Sequence, residues 1–177
     1  GVMFAGVKDS NALKTSSDAE TLFNNLVNAS NTSANAYNAS TGKIEISSTV
    51  STNIGENAHV GNLATSGQVL ITNTGSNGVN IAGKLYNYNS LPAADPDMYI
   101  LNTNGGINIT STGDIKNHGD LKVENYGSNG LTISGQISNS SEDAVFTNNA
   151  GKLSVNSTGT IHTTTTGNSK LTVTNNG

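Results

Sequence analysis

A short pattern repeated along the chain limits the possible folds more than any other feature of the sequence. It consists of an aliphatic or aromatic residue, any residue and then asparagine, and the steps between its copies are 29, 23, 23 and 27 residues. Recurrence at roughly 20 to 50 residues is typical of solenoids and related repeat architectures. The five copies are Ile71-Thr72-Asn73, Ile100-Leu101-Asn102, Val123-Glu124-Asn125, Phe146-Thr147-Asn148 and Val173-Thr174-Asn175.

Each of the first four copies is followed by further apolar positions that also recur. Apolar residues at positions i and i+2 face the same side of a strand, and the glycines and asparagines between them supply the positive φ angles of tight corners. One repeat is therefore predicted to contain three short strands and three turns. The recurring pairs are Val79/Ile81, Ile107/Ile109, Leu131/Ile133 and Leu153/Val155, and the single aliphatic residues that follow them are Leu85, Ile115, Ile137 and Ile161.

Such repeats must stack, because one coil cannot bury its own apolar face. The sequence therefore predicts an all-β fold, a right-handed parallel β-helix with three-strand coils of about 23 residues. We expect one continuous core along its axis. The side chains predicted to fill that core are Ile71, Ile81, Leu85, Ile100, Ile109, Ile115, Val123, Ile133, Ile137, Phe146, Val155 and Ile161.

The asparagine of each copy should face the same side as the aliphatic residue two positions before it. Equivalent residues of stacked coils lie about 4.8 Å apart, which lets neighbouring amides bond to each other. The alternative is that each asparagine occupies an exposed turn on its own. We predict a structural ladder formed by Asn73, Asn102, Asn125, Asn148 and Asn175.

The regularity differs between two parts of the chain. Residues 67–177 carry the regular β-helix repeats, and the coil that begins near Lys170 is incomplete at Gly177, so we expect the repeats to continue. Residues 1–66 are predicted to form irregular β-helix coils with a short helix at about residues 18–28. Ser17-Asp18-Ala19-Glu20 is typical of a capping box, and the apolar residues after it fall on one helical face. This helix should cover the side of the stack or cap it.

Both prolines of the chain lie in an insertion at residues 91–97, within the longest step between repeats. Proline cannot donate a hydrogen bond within a central sheet, so we expect a loop that leaves the stack. The loop also holds Asp95 and Asp97. Two such carboxylates are able to bind calcium, but solvation without a metal is the expected state.

The composition excludes several classes of function. Charged residues make up 11% of the chain, all eight basic residues are lysines, and the net charge is −4. Nucleic-acid binding requires a basic surface, so no nucleic-acid partner is expected. The apolar runs are too short to span a membrane. Cysteine is absent, which excludes disulfides and thiol-based metal sites, and we expect no cofactor and no metal.

No catalytic constellation is evident in the sequence. Asp114, His118, Asp120 and Glu124 come nearest to one, but a solvated rim explains them better. Carbohydrate-active enzymes with a β-helix fold resemble one another in having clustered carboxylates, often with arginine or lysine, and no such cluster is present here. Six Asn-x-Ser/Thr sequences occur, as chance predicts for this composition. The expectation is a protein that is not an enzyme, with a carbohydrate-active β-helix enzyme as the alternative.

Residues 69–83 (VLITNTGSNGVNIAG) and the matching stretch at residues 123–139 carry a family likeness. They resemble the central repeats of filamentous haemagglutinin-type adhesins exported by two-partner secretion, in particular the leukotoxin-type members. Residues 1–7 (GVMFAGV) loosely resemble strands of the same proteins. The likeness covers residues 67–177 well and residues 1–66 poorly.

The resemblance implies secretion, exposure at the bacterial cell surface and attachment to host cells. Its implied partners are an outer-membrane transporter during secretion and a host-cell surface component or glycan as receptor. The chain would then be a structural shaft segment of a large secreted surface adhesin or exoprotein that displays a binding or toxic region. The passenger domain of an autotransporter is a further alternative, since it shares the fold and differs in its export.

Overall fold

The computed structural model describes residues 1–8, 16–27, 39–89, 96–164 and 169–177, with only the backbone at residues 16–19. It confirms the parallel β-helix, since its parallel strands stack as a solenoid of about five turns with one short helix. The helix is α1 (Ser16–Val27). The strands are β1 (Val2–Ala5), β2 (Thr41–Ser48), β3 (Thr52–Ile54), β4 (His59–Asn62), β5 (Ser66–Asn73), β6 (Val79–Ile81), β7 (Lys84–Tyr88), β8 (Met98–Asn102), β9 (Gly106–Ile109), β10 (Asp114–Asn125), β11 (Gly130–Ile133), β12 (Gln136–Asn148), β13 (Leu153–Val155), β14 (Thr160–Thr164) and β15 (Leu171–Asn175).

The strands form three columns along the axis. In the larger sheet, one column runs through β1, β4, β7 and the first halves of β10 and β12 to β14. A second column runs through β2, β5, β8 and the second halves of β10 and β12 to β15. The smaller sheet stacks β3, β6, β9, β11 and β13. Each of the five coils from that of β1 to that of β12 therefore contributes one segment to each column, as the three-strand prediction requires.

The boundary between the first two segments of a coil changes along the stack. In the coils of β10 and β12 the two segments join into one continuous strand, with a shift of register between Gly119 and Leu121. Each of these two coils advances the chain by 23 residues, measured between successive ladder asparagines. The coil that contains the proline insertion advances it by 29 residues. The repeat length of about 23 residues is thus close to the shortest step, which is 22 residues from Asn117 to Asn139, and insertions lengthen it.

Glycine is required where the chain turns from the second column into the third. Gly130 has a φ of +81°, in the left-handed region that side chains rarely adopt. A Cβ at this position would lie 2.1 Å from the carbonyl oxygen of Lys152 in the next coil. The corner is therefore closed to larger residues by its own conformation and by the coil that stacks on it.

The core follows the predicted columns over most of the stack. Ten of the predicted core residues have no exposed surface: Ile71, Ile81, Leu85, Ile100, Ile109, Ile115, Val123, Ile133, Ile137 and Phe146. Ile161 is partly buried and packs against the same cluster. A further inward row, absent from the predicted core, consists of residues such as Val69, Met98 and Leu121, which are also buried.

The core prediction is wrong for Val155, whose side chain is 52% exposed. Val155 is in register with Ile133, so it belongs to the inward row. Its strand, β13, pairs with β11 on one side, and the described residues include no strand on the other side. Burial in a solenoid depends on coils both before and after a residue, and Val155 has only one of them here.

Helix α1 covers the outer side of the first column instead of capping an end of the stack. Leu22, Phe23 and Leu26 are buried against it, and the ring of Phe23 stacks on Tyr86 with centroids 5.5 Å apart. The helix begins at Ser16, so Ser17 lies inside it. Within the described residues, no helix has the length and apolar character needed to cross a membrane.

The carboxylate of Glu20 fixes this helix to two successive coils. It lies 2.6 Å from the ammonium group of Lys84 and 3.3 Å from that of Lys116. Burial opposes ionisation of Glu20, but the two lysines outweigh burial and lower its pKa below the ordinary 4.5. The predicted capping-box residue therefore makes tertiary ion pairs.

Changing Val123 to Asp should unfold the solenoid, because it places an unpaired charge at a site with no exposed surface. We expect a loss on the order of 4 kcal/mol or more in unfolding free energy. Val155→Asp is the matched control, since its site is already half open to water and should lose far less. Thermal unfolding followed by circular dichroism compares the two. Similar melting temperatures for both variants would contradict the assigned core.

Glu20→Gln should destabilise the protein near neutral pH and much less in acid. Because the folded-state pKa of Glu20 is lowered, its contribution is fully present above the unfolded pKa and is lost as the pH falls through the folded value. Urea unfolding of both proteins at pH 6 and at pH 3 measures the difference. If the difference in unfolding free energy between the unaltered protein and Glu20→Gln is as large at pH 3 as at pH 6, or larger, the ion-pair role is refuted.

Candidate functional site

The five asparagines predicted to form a ladder lie in consecutive register across the second column of strands. Asn73 pairs with Asn102, Asn102 with Asn125, Asn125 with Asn148 and Asn148 with Asn175. In every step the Nδ2 group of one asparagine donates to the Oδ1 atom of the next, at 2.8 Å. The amide dipoles therefore all point in one direction, and such chains of hydrogen bonds reinforce one another.

Four of the five ladder amides, those of Asn73, Asn125, Asn148 and Asn175, also donate to a carbonyl oxygen in the turn of their own coil. Asn125 Nδ2 donates to the carbonyl oxygen of Gly127 at 2.8 Å, and its Oδ1 atom accepts from the Gly127 N–H group at 3.2 Å. Asn73 and Asn148 make the corresponding donations to Gly75 and Gly151. An asparagine has two N–H donors, so one serves its own coil and the other joins it to the next.

The two ends of this ladder differ from its interior. The Oδ1 atom of Asn73 is buried without a hydrogen-bond partner, because the residue in register before it is Ser48. The Ser48 hydroxyl instead donates to the carbonyl oxygen of Ser51. At the other end, Asn175 keeps the register but is exposed. The interior members have no exposed surface.

A second buried ladder runs along the first column, and the sequence reasoning missed it. Asn62 donates to Asn87 at 3.2 Å, Asn87 to Asn117 at 3.1 Å and Asn117 to Asn139 at 2.8 Å. All four are at most 1% exposed. They too donate to turn carbonyls, as Asn117 does to Gly119 at 3.0 Å.

The signal for this second ladder was present in the sequence. Its members stand two residues after Val60, Leu85, Ile115 and Ile137, which repeats the aliphatic-x-Asn pattern of the first ladder. The sequence prediction treats Leu85, Ile115 and Ile137 only as core positions and does not include Val60, so the asparagines that follow them are not part of it. The step across the proline insertion, 30 residues from Asn87 to Asn117, further obscured the register.

A column of aspartates joins the coils where the first and second columns meet. The carboxylate of Asp97 accepts from the backbone N–H group of Asp120 at 2.8 Å, and Asp120 accepts from that of Asp143 at 3.2 Å. Asp143 in turn accepts from Lys170 N–H at 2.7 Å. Each carboxylate thereby satisfies a donor of the next coil at the bend between the two segments.

The aspartate column bears on the calcium site considered for the proline insertion. Asp97 is 4% exposed and its carboxylate bonds to the Asn89 amide and the Asp120 backbone, whereas Asp95 lies outside the described residues. Over the described ranges, histidine, aspartate and glutamate side chains form no group of three or more suited to a metal ion.

The four residues that came nearest to a catalytic set lie along β10 and do not converge. Asp114 lies 3.6 Å from Lys116, and His118 Nδ1 lies 2.6 Å from the carbonyl oxygen of Asn89. Asp120 belongs to the aspartate column, and Glu124 belongs to a cluster at the other end of the strand. Each group therefore has its own partners.

Glu124 is the centre of a polar cluster on the outer face of the second column. It accepts hydrogen bonds from the hydroxyl groups of Tyr99 and, at 3.1 Å, Tyr126, and it lies 3.3 Å from Lys122 Nζ. Burial opposes its ionisation, but these three partners outweigh burial and lower the pKa of Glu124. Burial and the hydrogen bond to Glu124 raise the pKa of Tyr99.

The third column carries a short ladder on its outside. Asn80 donates to Asn53 at 3.1 Å, and Asn108 donates to Asn80 at 2.9 Å. Asn108 is the first residue of an Asn-x-Thr sequence and is exposed, whereas Asn139, in another such sequence, is buried in the second ladder. Exposed Asn156 also begins one, and the other three, at residues 28, 31 and 38, lie outside the described residues.

No protein-family model matches the chain, and neither the curated proteins nor the solved structures include a significant match.

Replacing Asn125 with Leu should destabilise the solenoid much more than replacing Asn175 with Leu. The first change removes the partner of Asn102 and Asn148 inside the core, and each buried polar group left unpaired costs about 1–3 kcal/mol. Asn175→Leu deprives only Asn148 of a partner, and Asn175 itself is exposed to water, so its replacement should cost less. Urea unfolding of the two variants measures the difference. Equal effects, whether large or negligible, would rule out a ladder that depends on burial.

Proposed function

We propose that this chain is a structural shaft segment of a large secreted bacterial surface adhesin or exoprotein of the filamentous haemagglutinin type. The observation that supports the proposal best is the pair of buried asparagine ladders. In both, each coil supplies a donor that only the next coil satisfies, so the architecture favours uninterrupted length. A protein of this kind holds a distal binding or toxic region away from the cell surface.

A shaft agrees better with the distribution of charges than an enzyme does. Acid–base catalysis needs a group within hydrogen-bond reach of the reacting atoms and a partner that orients it. Asp114, Asp120 and Glu124 are instead spread along one strand and are engaged by separate neighbours. We therefore propose that the segment has no hydrolase or lyase activity.

The proposal includes secretion to the bacterial cell surface through an outer-membrane transporter, and attachment to a host-cell component or glycan. A solenoid folds by adding each coil to its neighbour, and the chain has no cysteine that would require oxidation. Such a chain is able to cross a membrane unfolded and to gain structure progressively on the far side. These properties suit both two-partner secretion and the autotransporter route.

Surface labelling of the bacterium that encodes the chain tests location and export. Antibodies raised against the purified segment should label intact cells, and the label should disappear when a separately encoded outer-membrane transporter is deleted. Loss of labelling only when a β-barrel encoded in the same gene is removed would favour an autotransporter instead. Antigen found only after cell lysis would overturn the proposal of a surface shaft.

The purified segment should release no reducing ends from polysaccharides, because its carboxylates form no catalytic pair. A reducing-sugar assay with pectin, xylan, β-glucan and chitosan provides the measurement. Asp114→Ala and Asp120→Ala serve as controls for trace contamination, since a contaminant's activity does not depend on them. Cleavage by the unaltered protein that either substitution abolishes would contradict the proposal.

A further inference from the structure

We propose that the outer face of the second column carries a binding site for an uncharged saccharide, centred on Tyr126. The site, called here the tyrosine patch, consists of Tyr99, Leu101, Lys122, Glu124 and Tyr126. These residues lie on β8, on β10 and just beyond the end of β10. The proposal goes beyond a passive shaft, because it places ligand binding on the shaft itself, and it does not depend on the route of export.

The exposure of Tyr126 is not explained by an open end of the stack. Tyr126 is 49% exposed, although its coil lies between the coil of β8 and that of β12. The other large apolar residues that are exposed in the described chain lie in the first or last coils: Val2, Met3, Val50, Val155, Leu171 and Val173. Tyr126 follows the inward Asn125 and faces outward, so the stacked coils leave the face of its ring open to a ligand.

The polar groups beside this ring are held in fixed positions. The Tyr126 hydroxyl donates to Glu124 Oε1 at 3.1 Å, while Tyr99 and Lys122 occupy Oε2. Lys122 Nζ also lies over the Tyr99 ring, 5.2 Å from its centroid. A network with its rotamers fixed in advance loses little conformational entropy when a ligand binds. The patch therefore combines an accessible apolar ring with oriented donors and acceptors.

The charge balance of the patch favours an uncharged ligand. Lys122 and Glu124 form an ion pair, and the residues in register on either side of Glu124 are Leu101 and Thr147. The residues that follow the ladder asparagines of the adjacent coils are Thr103 and Asn149. No unbalanced positive charge is present at this patch to attract phosphate or nucleic acid.

The sheet also excludes binding by strand addition. An extended peptide that joins a sheet needs a free edge with unpaired N–H and C=O groups. The second half of β10 is paired with β8 on one side and with β12 on the other. A ligand at the patch must therefore bond to side chains alone. A saccharide has the required chemistry, with an apolar face of C–H groups for the Tyr126 ring and hydroxyl groups for Glu124, Lys122 and the Thr103 and Asn149 side chains.

Titration of the whole segment with defined oligosaccharides tests this inference. The probes are cellohexaose, chitohexaose, a β-1,3-glucan hexamer and a lacto-series tetrasaccharide, with a heparin hexasaccharide as the anionic comparison. Binding is followed by two-dimensional NMR, which reports the backbone resonances of residues 99–101 and 122–127. The variants are Tyr126→Ala, Tyr126→Phe and Glu124→Gln. Thr132→Ala, on the outward side of β11, is the matched control.

We expect at least one uncharged probe to shift the patch resonances at millimolar concentration. Tyr126→Ala should weaken binding about fivefold or more, and Tyr126→Phe should keep most of it, because the ring supplies the main contact. Thr132→Ala should bind as the unaltered protein does. The inference fails if no uncharged probe shifts these resonances, if only heparin binds, or if Tyr126→Ala leaves the affinity unchanged while the variant remains folded.

Discussion

The structure depends on one constraint, which is that the buried side-chain amides at the ends of the first and second columns must find their second partner in the next coil. Asn125 donates one N–H group to the carbonyl oxygen of Gly127 within its own coil and the other to the Oδ1 atom of Asn148 in the following coil. Asn117 likewise donates one N–H group to Gly119 and the other to Asn139. A coil without its neighbour would leave buried donors and acceptors unpaired at both corners, in addition to an open apolar face. Hydrogen bonding and apolar burial thus impose the same requirement.

The repetitive interior leaves the exterior free to vary from coil to coil. Inward positions described above carry apolar residues and asparagine, since each must fit both the coil before and the coil after. Outward positions carry the features that occur once, namely the helix held by Glu20 and the tyrosine patch around Glu124. In a protein of this kind, local function is therefore expected on the outer face of particular coils, while the core supplies rigidity and length.

The features that recur in every repeat, namely the inward apolar rows and the first asparagine ladder, could mostly be predicted from the sequence. Alternation of apolar residues identified most of the inward rows, and five copies of one pattern identified the first ladder. The second ladder required the register between coils, which the insertion before Asp97 obscured. Val155 was assigned correctly to an inward row, but its exposure depends on whether a further strand covers it, and a local pattern does not contain that information.

Sequence patterns did not predict the tertiary contacts of single residues. Glu20 stands where a capping box predicts a local role, yet its partners Lys84 and Lys116 are 64 and 96 residues away. The convergence of Tyr99 and Tyr126 on Glu124 likewise depends on the stacking of β8 on β10. The convergence on Glu124 follows from the register once the coils are aligned, whereas the contacts of Glu20 also depend on where α1 packs.

A double-mutant cycle on the first ladder tests the coupling between coils most directly. The unfolding free energies of Asn102→Leu, Asn125→Leu and the double variant give the interaction between adjacent members, and Asn73 with Asn148 gives the same quantity for members that are not in contact. We expect a coupling of about 1 kcal/mol or more for the adjacent pair and near additivity for the separated pair. Additive effects for Asn102 and Asn125 would contradict the claim that buried amides join each coil to the next.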